Sequence, residues 1–159
     1  TVEKANKPQD WEAYFHIYRK SLKRWGEKSG YHWHLFQHMM EINSPHISLF
    51  LAKYQEKYIA GALCLYAKTH VVYWHGAALS ETFHLRPVNL IIAEAIHEAC
   101  DNGFSWFDFN PSGGHQGVKN FKKGFGTTSF PCNIVEKRPA LLNILKPIKD
   151  IYETIGRFI

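Results

Sequence analysis

The chain has 159 residues, of which 45% are hydrophobic, 21% charged and 15% aromatic, the mixture of one globular domain with an aromatic excess. At this length roughly 70% of the unfolded surface can be buried, so no disulfide or metal staple is required. No apolar run nears the ~18 residues of a membrane span and no signal peptide is visible, which reads as a cytoplasmic protein without a transmembrane segment. The net charge of +5, with ten histidines counted neutral, favours an anionic partner: a phosphorylated small molecule, a nucleic acid or a membrane surface.

Residues 1–5 read as a short edge strand. Pro8 suits the first turn of a helix, and Asp10 caps it or complements its dipole. Trp11, Tyr14, Phe15, Tyr18 and Leu22 follow at helical spacing, and Gly26 ends the run. A second helix is predicted over 31–42, closed by Pro45. The period then changes. Residues 46–55, 57–68 and 70–79 are rich in β-branched and aromatic side chains, and tight turns separate them, so a three-strand antiparallel meander is predicted. Pro87 opens a helix with Leu90, Ile91, Ala95, Ile96 and Ala99 on one face, and Gly103 stops it. Residues 104–110 form a further strand. A strand–helix–strand connection of this length makes that strand parallel to the one at 71–78, through a right-handed crossover. A short helix over 118–124, an edge strand over 128–137 and a final helix or helix pair over 139–159 complete the prediction.

Cys64, Cys100 and Cys132 sit apart in apolar contexts with no CxxC pair, which reads as reduced, mostly buried thiols. His34 and His38 lie four apart on the second helix, but the residues between them read Leu-Phe-Gln, so no HExxH zinc motif is formed. No metal site is expected.

Between the last two predicted strands lies "GGHQGVKNFKKGFG", residues 113–126, with five glycines and three lysines. Glycine there lets backbone approach a ligand closely. Lys119, Lys122, Lys123, Lys137, Arg138, Lys146 and Lys149 make the last third basic.

The order of elements resembles the GNAT acyltransferase fold: α+β, with a mixed, twisted, mostly antiparallel sheet flanked by helices. Residues 70–131 sharpen the likeness. A strand ending Gly-Ala, a helix ending in Gly, a strand carrying Phe-Asp-Phe and then Gly117, Phe121, Lys122, Gly124, Phe125 and Gly126 resemble the carboxyl-terminal unit of Fem-like proteins. Those are the aminoacyl- and peptidyl-transferases of peptidoglycan cross-bridges. The resemblance implies an acyl- or aminoacyl-transferase acting on an amine of a cell-wall or related precursor. It implies no bound cofactor, and a donor that is acyl-CoA or aminoacyl-tRNA. Donor and acceptor would meet where the sheet splays between its fourth and fifth strands. Lys122 is the implied catalytic cation, neutralising donor phosphate or the developing oxyanion. His75, Gly76, Asp108, Asn110, His115, Phe121 and Arg86 are the implied substrate-binding residues, with His75 also a candidate base and Arg86 a candidate phosphate contact.

Two features depart from the pattern. Acetyl-CoA-using GNAT enzymes carry a glycine-lined pyrophosphate loop before the helix that here begins at Pro87; "SETFHLRPVNLII" has no glycine, so coenzyme A is expected to bind weakly or not at all. Fem-like enzymes have two GNAT-like units and this chain holds one domain, 1–159, either the second half of a longer protein or a single-unit relative. The alternative is a catalytically silent GNAT-like module that binds nucleic acid or a protein through its basic surface.

Overall fold

The computed structural model describes residues 1–26, 30–113 and 115–131. Residues Thr1–Lys119 gather as one compact unit and the residues from Asn120 as a second.

In the first unit a five-stranded sheet runs β1 (Val2–Lys4), β2 (Ile47–Tyr54), β3 (Lys57–Ala67), β4 (His70–Ala78) and β5 (Trp106–Asp108), in that spatial order. The first four strands are antiparallel neighbours; β5 lies parallel to β4. The meander and the parallel fifth strand therefore form as predicted. Tight hairpins join the meander: Gln55 and Glu56 both take positive φ, and Lys68 does so in the next turn.

Alternation along the strands builds two cores. Leu49, Leu51, Leu63 and Ala77 pack with Trp11, Tyr14, Ile17 and Tyr18 of α1 (Pro8–Trp25) and Phe36 of α2 (Trp33–Ile42). Gly61 belongs to this face because a Cβ there would fall 2.4 Å from the Tyr14 ring. Phe50, Ala62 and Cys64 point the other way, toward the side of the sheet covered by Ile91, Ile92, Ala95 and Ala99 of α3 (Pro87–Asp101).

Helix ends follow local chemistry. Asp10, 2% exposed, accepts the Asn6 and Lys7 N–H groups at 3.0 and 3.3 Å and the Tyr58 hydroxyl at 3.0 Å, so its buried charge is hydrogen-bonded. Gly26 takes the left-handed conformation that closes α1.

Several expectations change. β5 is three residues long, because Asn110 turns into the left-handed region and its N–H is held by the Asp108 carboxylate at 2.7 Å. A 3-10 turn at Ser80–Leu85 occupies what read as loop. Cys64 is buried but Cys100 is exposed, on the outer side of α3, correcting the expectation of mostly buried thiols. In the second unit, residues 127–131 are not in a strand; the rest of the strand predicted over 128–137, the helix over 139–159 and Cys132 lie outside the described residues. The last described helix, α4 (Gln116–Lys123), starts two residues before its prediction.

Candidate active site

β4 contains one residue too many. Leu63 faces His75 across the ladder, but Cys64 faces Tyr73, so Trp74 is a bulge. The extra residue puts Tyr73 and Gly76, three apart, on one face of the sheet, opposite Cys64 and Ala62, while His75 turns to the other. Pairing with β5 stops just before it: the last pair is Val72–Asp108. Past that point Asn110 donates its side-chain amide to the Tyr73 carbonyl at 2.9 Å. Trp74–Ala78 then runs on past the end of β5. This is the splay that the sequence placed between the fourth and fifth strands, and Asp108 and Asn110 hold its corner.

His75 points into a box of aromatic rings. Centroids of Tyr18, Trp74, Tyr31, Tyr14 and Phe36 lie 4.7, 5.7, 5.8, 5.9 and 6.3 Å from its own. The Tyr14 oxygen is 2.5 Å from Nδ1 and 3.4 Å from the His75 carbonyl. A phenol has one proton to give and Nδ1 is the nearer acceptor, which assigns Tyr14 as donor and leaves the imidazole proton on Nε2. Burial pushes the His75 imidazolium down to about 4 and raises the Tyr14 phenol well above its ordinary value. Both groups are neutral at pH 7, and the His75 lone pair is already engaged. The imidazole is built as a fixed polar strut of this wall, and its basicity is too low for a proton acceptor near neutrality.

Gly76 has a steric reason to be glycine. A Cβ at that position would fall 2.0 Å from the Tyr73 hydroxyl oxygen. The Tyr73 ring also stands edge-on to Phe109, at 6.2 Å and 74°. Sequence reasoning missed both tyrosines. Tyr14 read as one more apolar-face position, and Tyr73 reaches Gly76 only because of the bulge, which a period-2 pattern cannot show.

Arg86 and His115 lie elsewhere in this unit, and both are exposed. Arg86, at positive φ, is the N-cap of α3. Its carbonyl accepts the Asn89 and Leu90 N–H groups at 3.0 and 3.4 Å, and Pro87 has none to offer. A pyrophosphate therefore meets no open nest of backbone donors there, and coenzyme A held in that way does not fit this helix start. The His115 carbonyl accepts the Lys119 N–H at 3.1 Å at the start of α4.

In the second unit Phe121 packs edge-on against Phe125, at 5.3 Å and 69°. Lys122 is buried, 9% exposed, while Lys123 is exposed. A lysine folded inward from a short basic helix departs from the rule that lysine stays at the surface. Among the described residues no cluster of three or more His, Cys, Asp or Glu side chains could hold a metal ion. No helix among them is long and apolar enough to cross a membrane. Burial pushes the Cys64 thiol up to about 12, so it is not a thiolate nucleophile.

A sheet of this topology, splayed beside a bulged fourth strand, defines the class of GNAT-fold acyltransferases. The chain belongs to the acetyltransferase (GNAT) domain family, whose pattern matches residues 1–123. Solved structures share the fold. The aminoglycoside N-acetyltransferase AAC(6')-Iy, in complex with a bisubstrate analogue of CoA and acetylneamine, is similar with a TM-score of 0.71 and 14% identity, over 88% of this chain and 98% of that one. An aminoglycoside acetyltransferase from an uncultured soil metagenomic sample, in complex with sisomicin, gives 0.68 and 12%, over 87% and 95%. The ribosomal-protein-S18-alanine N-acetyltransferase from Escherichia coli gives 0.64 and 12%, over 79% and 76%. Among curated proteins, none matches.

Proposed function

We propose that the chain transfers an acyl group to an amine at the splay between β4 and β5, and that it does so in the manner of the Fem-like branch, from an aminoacyl donor to an amine of a cell-envelope precursor. One observation carries the reading: β4–β5 pairing ends at Val72–Asp108 beside the Trp74 bulge, with Asn110 bracing the corner. Acyl transfer needs donor carbonyl and acceptor amine held together, with prearranged hydrogen-bond donors where the oxyanion forms. A break in a sheet supplies both space and backbone donors.

The start of α3 favours a donor other than coenzyme A, since it presents Pro87 and an occupied Arg86 carbonyl instead of a nest. Aminoacyl-tRNA suits the basic chain as an anionic donor. Lys122 takes the role of the cation that supports charge in the transition state. Phe121 and His115 belong to the binding of the same substrates. His75 and Gly76 form the wall of the splay, and His75 is no longer proposed as a base.

The test is transfer. The wild-type protein is incubated with alanyl-tRNA or acetyl-CoA and with a lysine-containing cell-envelope peptide precursor, and the amide product is read by mass spectrometry. Amide formed from alanyl-tRNA supports the reading. Salt-sensitive binding of tRNA with no amide from either donor contradicts it and favours a silent nucleic-acid-binding module.

A further inference from the structure

Tyr73 carries a polar group that the reading above leaves unused. Its hydroxyl fills the space beside the Gly76 backbone and makes no hydrogen bond to the described residues. No buried side-chain oxygen among them is left without a partner, so this oxygen opens to solvent. It stands where the sheet parts: its own carbonyl takes the Asn110 amide, and its ring meets Phe109. A tyrosine pressed against a glycine, its ring held edge-on and its hydroxyl unspent, is a hydrogen-bond donor kept for a guest.

We propose that the Tyr73 hydroxyl is the catalytic donor to the departing group of the acyl substrate. The inference rests on the acyl-transfer reading. The amine nitrogen forms a bond to the donor carbonyl carbon. The carbon–leaving-group bond breaks with its electron pair going to the leaving atom, an ester oxygen or a thioester sulfur. Tyr73 passes its proton to that atom. The phenolate regains a proton from the one the amine sheds, carried by water, so the sum is ester plus amine to amide plus alcohol. Burial raises the Tyr73 phenol above its ordinary range, which keeps the proton in place at neutral pH until the leaving group calls for it.

The experiment compares wild type with Tyr73→Phe on aryl acetates graded from 4-nitrophenyl to phenyl, with butylamine as acceptor. Phenylalanine keeps the ring against Phe109, and a thermal melt checks the fold. A good leaving group needs little help and a poor one much. The loss should therefore be roughly tenfold with 4-nitrophenyl acetate and climb to about 10²–10³ with phenyl acetate. Gly76→Ala, which evicts the hydroxyl from its place, should show the same trend. A loss equal along the series, or under about threefold, overturns the role of Tyr73 and leaves acyl transfer standing. No transfer by the wild type with any ester overturns the acyl-transfer reading, and this inference with it.

Discussion

The Tyr14 hydroxyl and Nδ1 of His75 lie 2.5 Å apart, joining α1 to the residue that follows the β4 bulge, 61 positions along the chain. Both groups sit among aromatic rings, and Tyr14 is fully buried. In such surroundings the bond matters less for the attraction it supplies than for the unpaired atom its loss would leave.

Tyr14→Phe should cost about 1–3 kcal/mol of stability, the penalty of leaving His75 Nδ1 without a donor. Urea denaturation checks this, with the midpoint falling and the slope unchanged. A change under ~0.3 kcal/mol, well below the usual penalty for an orphaned polar atom, would mean that Nδ1 reaches water instead.

Stability should also depend on pH through His75. Its folded pKa of about 4 is below the ordinary 6.5, so between these values the unfolded chain binds the proton and the folded one does not. Its contribution is fully present above about 6.5 and is lost as pH falls toward 4, roughly 1–3 kcal/mol in all. Comparing wild type with His75→Gln across pH 4–7 isolates the effect. A wild-type curve parallel to the variant's over that window would contradict it.

Much of this architecture was legible in the sequence, for identifiable reasons. Pro8 and Gly26 bracket α1, Pro87 and Gly103 bracket α3, and the switch to period 2 after Pro45 marks the meander. The parallel placement of β5 followed from the α3 crossover. What was hidden depended on one residue. Trp74 continues an apolar run that looks like plain strand, yet as a bulge it decides which face Tyr73, His75 and Gly76 occupy. The histidine therefore drew attention as a base from its residue type, whereas its ring box is assembled from Tyr14, Tyr18, Tyr31 and Phe36, far away in the chain. The short length of β5 was equally hidden, since the Asp108–Asn110 turn rests on a side-chain hydrogen bond within a run of strand formers.

Lys122→Ala should lower turnover by roughly 10²–10³, the scale for losing one group that stabilises transition-state charge. Lys123→Ala should change it little: that side chain is exposed and points about 100° away around the helix. Steady-state rates with thermal melts of both variants give the answer. Equal losses would mean a diffuse basic patch, and no loss in either would remove Lys122 from the mechanism.

Acetyl-CoA should bind weakly or not at all, because the first turn of α3 offers a proline and N–H groups already bonded to the Arg86 carbonyl. Isothermal calorimetry decides. A micromolar dissociation constant would show that the pyrophosphate is held by some other set of groups and would restore acetyl-CoA as the donor.

The most direct measurement of the central claim is donor choice in the wild-type protein. Equal concentrations of alanyl-tRNA and acetyl-CoA are offered together with the lysine-containing precursor peptide, and mass spectrometry distinguishes the alanyl from the acetyl amide. Acyl transfer at a splay without a pyrophosphate nest predicts the alanyl product. Acetyl product alone would place the chain among acetyl-CoA users, and no amide at all would mean that the splay between β4 and β5 is not an acyl-transfer site.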